Sequence, residues 1–351
     1  MRSHGGGVIK LLQQSGKARS ELVDFSASIN PLGLPSGVRQ ALVDSLPLLG
    51  DYPEIDAASL RRALAAFHRV DEGMVLPAGG STALIYLLPR VLRPRRALLV
   101  APCFSEYRPA LEQAGCKVDE LVLDAAEDFR FDPRQLLDAL APQTDMVWLA
   151  NPANPTGAVI APEILAELAR ALAPVTLVVD EAFVDFCPQY SLVDVLPQLP
   201  NLVLLRSLTK FYAIPGLRAG YLLAAAERVA RLVRDAEPWN LSTPAILAAR
   251  ACLDDADYRR RSFEQIPQLR AQLHDGLEQL GAHPFPAVAN YLLCRLPVAW
   301  PDATELAESL ARSQLLVRTC SDFSGLDGHF LRLAVRSATE NSRLLEVLSH
   351  F

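Results

Sequence analysis

Ser207-Leu208-Thr209-Lys210-Phe211-Tyr212-Ala213-Ile214-Pro215-Gly216-Leu217-Arg218 runs from the end of one apolar strand, Leu202 to Leu205, to the start of another, Gly220 to Leu223. Strand signals on both sides place Lys210 on a short connection at the rim of a buried sheet. Ser207 and Thr209 precede the lysine and Arg218 follows it. One amine, two hydroxyls and one guanidinium can therefore converge on a small anionic aldehyde. Pyridoxal phosphate is such a molecule: Lys210 would form a Schiff base with its aldehyde, and Ser207, Thr209 and Arg218 would hold its phosphate through charge-assisted hydrogen bonds.

Upstream of this connection, apolar strands alternate with amphipathic helices. Ala97 to Val100, Val118 to Leu123, Met146 to Ala150 and Thr176 to Val179 read as strands, with helical patterns at Ser59 to Val70, Ser105 to Ala114 and Pro162 to Leu172. The alternation predicts an α/β fold with a mostly parallel sheet covered on both faces. Ligands of such sheets sit beyond the strands' carboxyl ends, so the residues that follow each strand become the candidates. Phe104 follows the first and can lie flat on a pyridine ring. Asn151-Pro152-Ala153-Asn154-Pro155-Thr156-Gly157 follows Ala150 and presents Asn154 as a side-chain donor. Asp180 follows Val179, and a carboxylate buried there needs a cationic partner, for which a pyridinium nitrogen is suitable. Gly79-Gly80-Ser81 opens a further helix, whose unpaired N–H groups can receive a phosphate.

Beyond Trp239-Asn240-Leu241-Ser242 the alternation stops. A helical stretch from Pro244 to Leu280, broken near Pro267, leads to strand patterns at Ala289 to Cys294, Leu315 to Arg318 and Phe330 to Arg336, with a helix from Ala303 to Ser313. The expected organisation is an N-terminal arm over residues 1–40 packing with the small domain, a large cofactor-binding domain over 41–238, and a smaller α+β domain over 239–351. In the arm, His4 stands beside Gly5-Gly6-Gly7, and Asp24 to Asn30 ends in polar residues able to line a pocket. Arg318 and Arg336 are candidate clamps for substrate anions, because a planar guanidinium pairs bidentately with carboxylate or phosphate. Tyr52, in Asp51-Tyr52-Pro53, offers an aromatic hydroxyl on a turn.

Composition narrows the function. The 351 residues are 50% hydrophobic and carry a formal net charge of −6, so a large core is available and nothing electrostatic favours nucleic acid. No apolar run reaches the length of a membrane span, and Met1 to Gly7 lacks the apolar core of a signal peptide, which makes a cytoplasmic chain the expectation. The 6 cysteines are scattered without a C-x-x-C pair, as buried thiols rather than disulfides or metal ligands, and no metal is expected.

The motifs Asn151-Pro-Ala-Asn-Pro-Thr-Gly157, Asp180, and Ser207-Leu-Thr-Lys210 with Arg218 together resemble the fold-type I pyridoxal-phosphate enzymes, the aspartate aminotransferase superfamily. The resemblance implies that Lys210 is the cofactor-bearing lysine, Asp180 the partner of the ring nitrogen and Asn154 the donor to the ring's phenolic oxygen. It implies Phe104 stacking on the ring, Ser207, Thr209, Arg218 and the Gly79-Gly80-Ser81 amides on the phosphate, and Tyr52 reaching in from the other subunit of a homodimer. Arg336 takes the place of the substrate-carboxylate arginine.

Within that superfamily, His4-Gly5-Gly6, the run Asp24 to Gly33, and Val335-Arg336-Ser337-Ala338 before Glu340-Asn341 are similar to the L-threonine-O-3-phosphate decarboxylases of cobalamin biosynthesis, near relatives of the histidinol-phosphate aminotransferases. The implied reaction is decarboxylation of a small phosphorylated amino acid, with His4, Asn30, Asn154, Arg318 and Arg336 binding the substrate. Transamination of histidinol phosphate is the alternative. Phe183 separates the two readings, since the aminotransferases generally carry tyrosine two residues after the Asp-Glu pair. Ala78-Gly79-Gly80-Ser81 departs from the Gly-Asn-Gly usual in both groups, keeping the backbone donors and losing one side-chain contact.

Overall fold

Short runs of leucine and valine, ended by polar or proline-bearing turns, build almost every strand of the computed structural model, which describes Val8, Leu12, Ala18 and residues 21–351. The first is β1 (Val23–Asp24). Next come β2 (Val75–Ala78), β3 (Arg96–Ala101), β4 (Lys117–Val122), β5 (Met146–Ala150), β6 (Thr176–Asp180), β7 (Leu202–Ser207) and β8 (Gly220–Ala224), which form one 7-stranded sheet in the order β2-β8-β7-β6-β5-β3-β4. Strands β4, β3, β5, β6 and β7 pair in parallel, and β8 runs antiparallel to both of its neighbours. The lysine connection thus joins two adjacent antiparallel strands, and strands lie on either side of it as expected.

Side chains along the central strands alternate between two cores. Leu98, Val147, Leu149, Leu177, Val179, Leu202 and Leu204 point into one. Leu99, Met146, Trp148, Val178, Val203 and Leu205 point into the other. Period-2 alternation with both faces apolar is the mark of a strand buried on both sides, and each fully buried aliphatic side chain contributes about 1.5–3 kcal/mol.

After the main sheet come β9 (His283–Pro284), β10 (Tyr291–Arg295), β11 (Leu315–Leu316), β12 (Arg318–Thr319) and β13 (Phe330–Ala334). Four of them form an antiparallel sheet in the order β12-β13-β10-β9, while β11 pairs in parallel with β1, tying the N-terminal segment to this C-terminal region. The strand expected from Leu315 to Arg318 is thereby split between two sheets.

Two boundaries differ from expectation. The long helix breaks at Asp255, not near Pro267, giving helices Thr243–Asp254 and Ala256–Gln279. Asp255 caps the second through Tyr258 N–H at 2.8 Å, while Pro267 is accommodated inside it. The core of the main sheet also extends past residue 238: Ala245, Ile246, Ala248, Cys252, Tyr258 and Ile266 pack into it, because helix Thr243–Asp254 lies against helices Ser36–Ser45 and Ala58–His68. Among the described residues, no helix is long and apolar enough to cross a membrane.

Candidate active site

Because β5, β6 and β7 run parallel, their carboxyl ends emerge together, with Ala150 in register with Asp180 and Asp180 with Leu205. A cavity of about 380 Å³ opens over these ends. Asn154, Asp180, Phe183 and Lys210 line it from the main sheet, with Phe104 from the exit of β3 and Ser81 from the start of helix Ser81–Leu92. Opposite them stand Ser26 to Ile29 of the N-terminal segment and Arg318, Phe323 and Arg332 from the C-terminal region.

Asp180 is oriented by two donors. Tyr107 O–H donates to Oδ2 at 2.6 Å and Ala182 N–H to Oδ1 at 2.9 Å. Burial pushes the Asp180 carboxyl up, opposed by these donors and by Lys210. Tyr107 is in turn fixed between Trp148, stacked at 5.1 Å, and Phe104, edge-on at 5.8 Å. Lys210 Nζ donates to Thr209 Oγ1 at 3.1 Å and lies 5.6 Å from the centre of the Phe183 ring. Burial pushes its pKa down to about 8, Arg218 and Arg332 adding to the effect and Asp180 opposing it. Near neutral pH a usable fraction of this amine is uncharged, which a nucleophilic lysine requires.

Beside the lysine, the Ser207 and Thr209 hydroxyls are 2.7 Å apart. Arg218 presses against the start of helix Ser81–Leu92: a Cβ on Gly80, whose φ is +89°, would lie 2.5 Å from Arg218 Nη2. Only glycine lets the guanidinium approach the helix N-terminus so closely. Two hydroxyls, one arginine and a helix start make up an anion cradle, and an amine of lowered pKa and an oriented carboxylate complete the donor set for pyridoxal phosphate. The residues fit that cofactor.

On the substrate side, Arg332 Nη2 donates to the Ser26 carbonyl at 2.8 Å and Nη1 to Asn154 Oδ1, which leaves the NH2 end of Asn154 as its donor. Arg318 donates to Asp322 Oδ2 at 2.7 Å and lies 5.1 Å from the centre of the Phe323 ring.

The structure does not bring every expected residue here. The Asn30 side chain is consumed elsewhere, donating to the Phe211 carbonyl and Ser262 Oγ, both at 2.9 Å, and accepting from Leu32 N–H. It fixes the segment whose earlier residues line the cavity. Arg336 pairs with Glu340 at 3.1 Å, outside the cavity wall, and Arg332, not Arg336, lines the cavity. Tyr52 is 84% exposed and rests on Trp239 at 5.3 Å. His4 lies outside the described residues. Sequence reasoning missed Arg332, Tyr107 and Glu106, the last lining the cavity and accepting from Tyr86 O–H. Strand alternation could have found Arg332, since Leu331 and Leu333 both face the C-terminal core and turn it the other way.

The fold and site define a fold-type I pyridoxal-phosphate enzyme. The family model for aminotransferase class I and II matches residues 20–351, and the chain belongs to that family. It is 37% identical to the threonine-phosphate decarboxylase of Salmonella typhimurium, over 99% of this chain and 95% of that one. Among solved structures, it resembles the L-threonine-O-3-phosphate decarboxylase from Porphyromonas gingivalis at 26% identity and TM-score 0.83, covering 93% of this chain and 98% of that one. The histidinol-phosphate aminotransferase from Clostridium acetobutylicum matches at 28% identity and TM-score 0.87, covering 94% and 98%.

Proposed function

We propose that this chain decarboxylates L-threonine O-3-phosphate to (R)-1-aminopropan-2-yl phosphate and carbon dioxide, as a step of cobalamin biosynthesis. The observation that carries the reading is the pair of buried arginines, Arg318 and Arg332, in one cavity wall across from Lys210. Two guanidiniums on the substrate side, apart from the Arg218 cradle, suit an amino acid that carries both a carboxylate and a phosphate. Full-length similarity to a threonine-phosphate decarboxylase supports it.

Lys210, Asp180, Asn154, Phe104, Ser207, Thr209, Arg218, Gly79, Gly80 and Ser81 are the residues proposed to hold the cofactor. When bound, pyridoxal phosphate supplies a pyridinium that accepts the electron pair released at Cα. Asp180, oriented by Tyr107 and Ala182, would be the carboxylate that favours a protonated ring nitrogen. Arg318 and Arg332 would hold the substrate's two anionic ends and so fix the direction of its Cα–carboxylate bond, which selects the bond that breaks. Phe104, Phe183 and Ile29 keep water from the reacting carbon, where loss of charge as carbon dioxide leaves is favoured. Lys210 Nζ then delivers a proton to Cα, so the amine product carries hydrogen where the carboxylate stood.

Histidinol-phosphate amine transfer is the alternative, favoured by the likeness to the Clostridium acetobutylicum structure. We further infer a cytoplasmic homodimer in which Tyr52 reaches the partner's cofactor. Its exposure among Leu46, Leu48, Leu49 and Ile55, all more than 40% exposed, supports a covered apolar face there. The test is incubation of cofactor-loaded protein with L-threonine phosphate and no keto acid, following carbon dioxide and phosphorylated amine, with Lys210→Ala as control. Lys210-dependent release is expected. Absence of release, with amine transfer between histidinol phosphate and 2-oxoglutarate, would overturn the decarboxylase reading.

A further inference from the structure

Tyr291, the first residue of β10, is fully buried and stands behind the cavity wall rather than in it. Its hydroxyl donates to the Ala153 carbonyl at 2.7 Å, in the loop that carries Asn154. Its ring meets Phe183 edge-on at 4.8 Å and 71°. Its face lies 5.7 Å from the Arg332 guanidinium carbon. The same loop closes over the ring at Gly157, where a Cβ would lie 3.7 Å from Tyr291 Cε2 and 2.5 Å from Ala287 Cβ. Each part that Tyr291 touches presents one residue to the cavity: Asn154, Phe183 and Arg332.

Asn154 and Arg332 are also bonded to one another, amide oxygen to guanidinium. Tyr291 therefore grips both ends of that bond, the first through the backbone of the preceding residue and the second from beneath the guanidinium. We propose that Tyr291 is a positioning residue that sets the register between the cofactor-side donor Asn154 and the substrate-side cation Arg332. The proposal rests on the pyridoxal-phosphate site and holds for either amino substrate.

Tyr291→Phe keeps the ring contacts and removes only the side-chain anchor on the Ala153 carbonyl, which retains the Gly157 N–H at 2.7 Å. With whichever amino substrate the wild type turns over, KM should rise about tenfold or more while kcat changes less than about threefold. The visible absorbance of the cofactor-loaded protein should titrate at higher pH, because displacing the Asn154 donor weakens stabilisation of negative charge on the ring oxygen. This second readout needs no turnover, so it decides the matter even if threonine phosphate and histidinol phosphate both prove inert. An unchanged absorbance midpoint together with unchanged KM, whatever happens to the melting temperature, would reduce Tyr291 to a packing residue and overturn the proposal.

Discussion

Two sets of buried charges lie one residue apart in the chain and behave in opposite ways. Glu181 and Arg206 directly adjoin Asp180 and Ser207, yet they meet each other at 2.7 Å, and Arg206 also meets Asp185 at 2.6 Å. Ser191 O–H and Leu192 N–H complete the Glu181 carboxylate. Close by, Tyr221 bonds His68 at 2.7 Å, and burial with the Arg206 charge pushes that imidazole down to about 3, so it stays neutral. In the cavity, Lys210 and Arg332 are given only hydroxyl or carbonyl oxygens, and Asp180 only neutral donors. Along β7, Arg206 and Ser207 face opposite sides of the sheet because side chains alternate. One face pairs its charges with opposite charges within the protein, while in the cavity Lys210, Asp180 and Arg332 have no ion pair among the described residues and Arg318 alone is paired, with Asp322.

Removing one member of the neutralised set should have the larger effect on folding. Arg206→Met would leave two buried carboxylates without their cation and should cost about 3–5 kcal/mol, read by urea denaturation. A loss below about 1 kcal/mol would mean that the pairs on this face hold little. Arg332→Met should do the reverse, raising KM for the substrate about 100-fold while leaving the urea midpoint nearly unmoved. Under the same assay Arg336→Ala should stay within about twofold of wild type. If Arg336 proved the more sensitive of the two, the assignment of the substrate arginine would be reversed.

The smallest effect concerns the amine itself. Since the folded protein holds Lys210 at about 8, below an ordinary lysine, the uncharged form predominates above that pH and declines beneath it. Reloading of apo-protein with pyridoxal phosphate should slow about tenfold per pH unit below 8 and level off above it. A plateau reached only near pH 10.5 would show that burial does not depress this lysine.

The chemistry at strand ends was legible because the chain announces it: an apolar run stops, and Asn154, Asp180 or Lys210 follows within a few residues. The sheet came from the same signal except for β2, whose short run Val75–Ala78 passes directly into the glycine turn before a helix. The substrate side was harder to read. Arg332 and Arg336 sit near each other in one C-terminal stretch, and only the packing of Leu331 and Leu333 into the core of the C-terminal region reveals which guanidinium turns toward the main sheet. Asn30 has the right polarity for a pocket, but its amide is satisfied by Phe211 and Ser262, far away in sequence. Tyr107 acquires its role only when the exit of β3 is brought beside the end of β6, a distance no local pattern encodes. Tyr52 is exposed on its turn, away from the cavity of its own chain.

The pairing of β1 with β11, Val23 opposite Leu315 and Asp24 opposite Leu316, bears on how the molecule is made. Contacts of such long sequence separation form late, and chains fold from the N-terminus as they are synthesised. Ser26, whose carbonyl receives Arg332, leaves the ribosome long before its partner exists. Lys210, Asp180, Ser207, Thr209 and Arg218 have all been translated by the end of β8 and the helix that completes their core follows at Thr243–Asp254, whereas Arg332 awaits β13. A nascent chain could thus acquire its cofactor pocket before it can grip a substrate, with the two ends of the polypeptide closing the enzyme last.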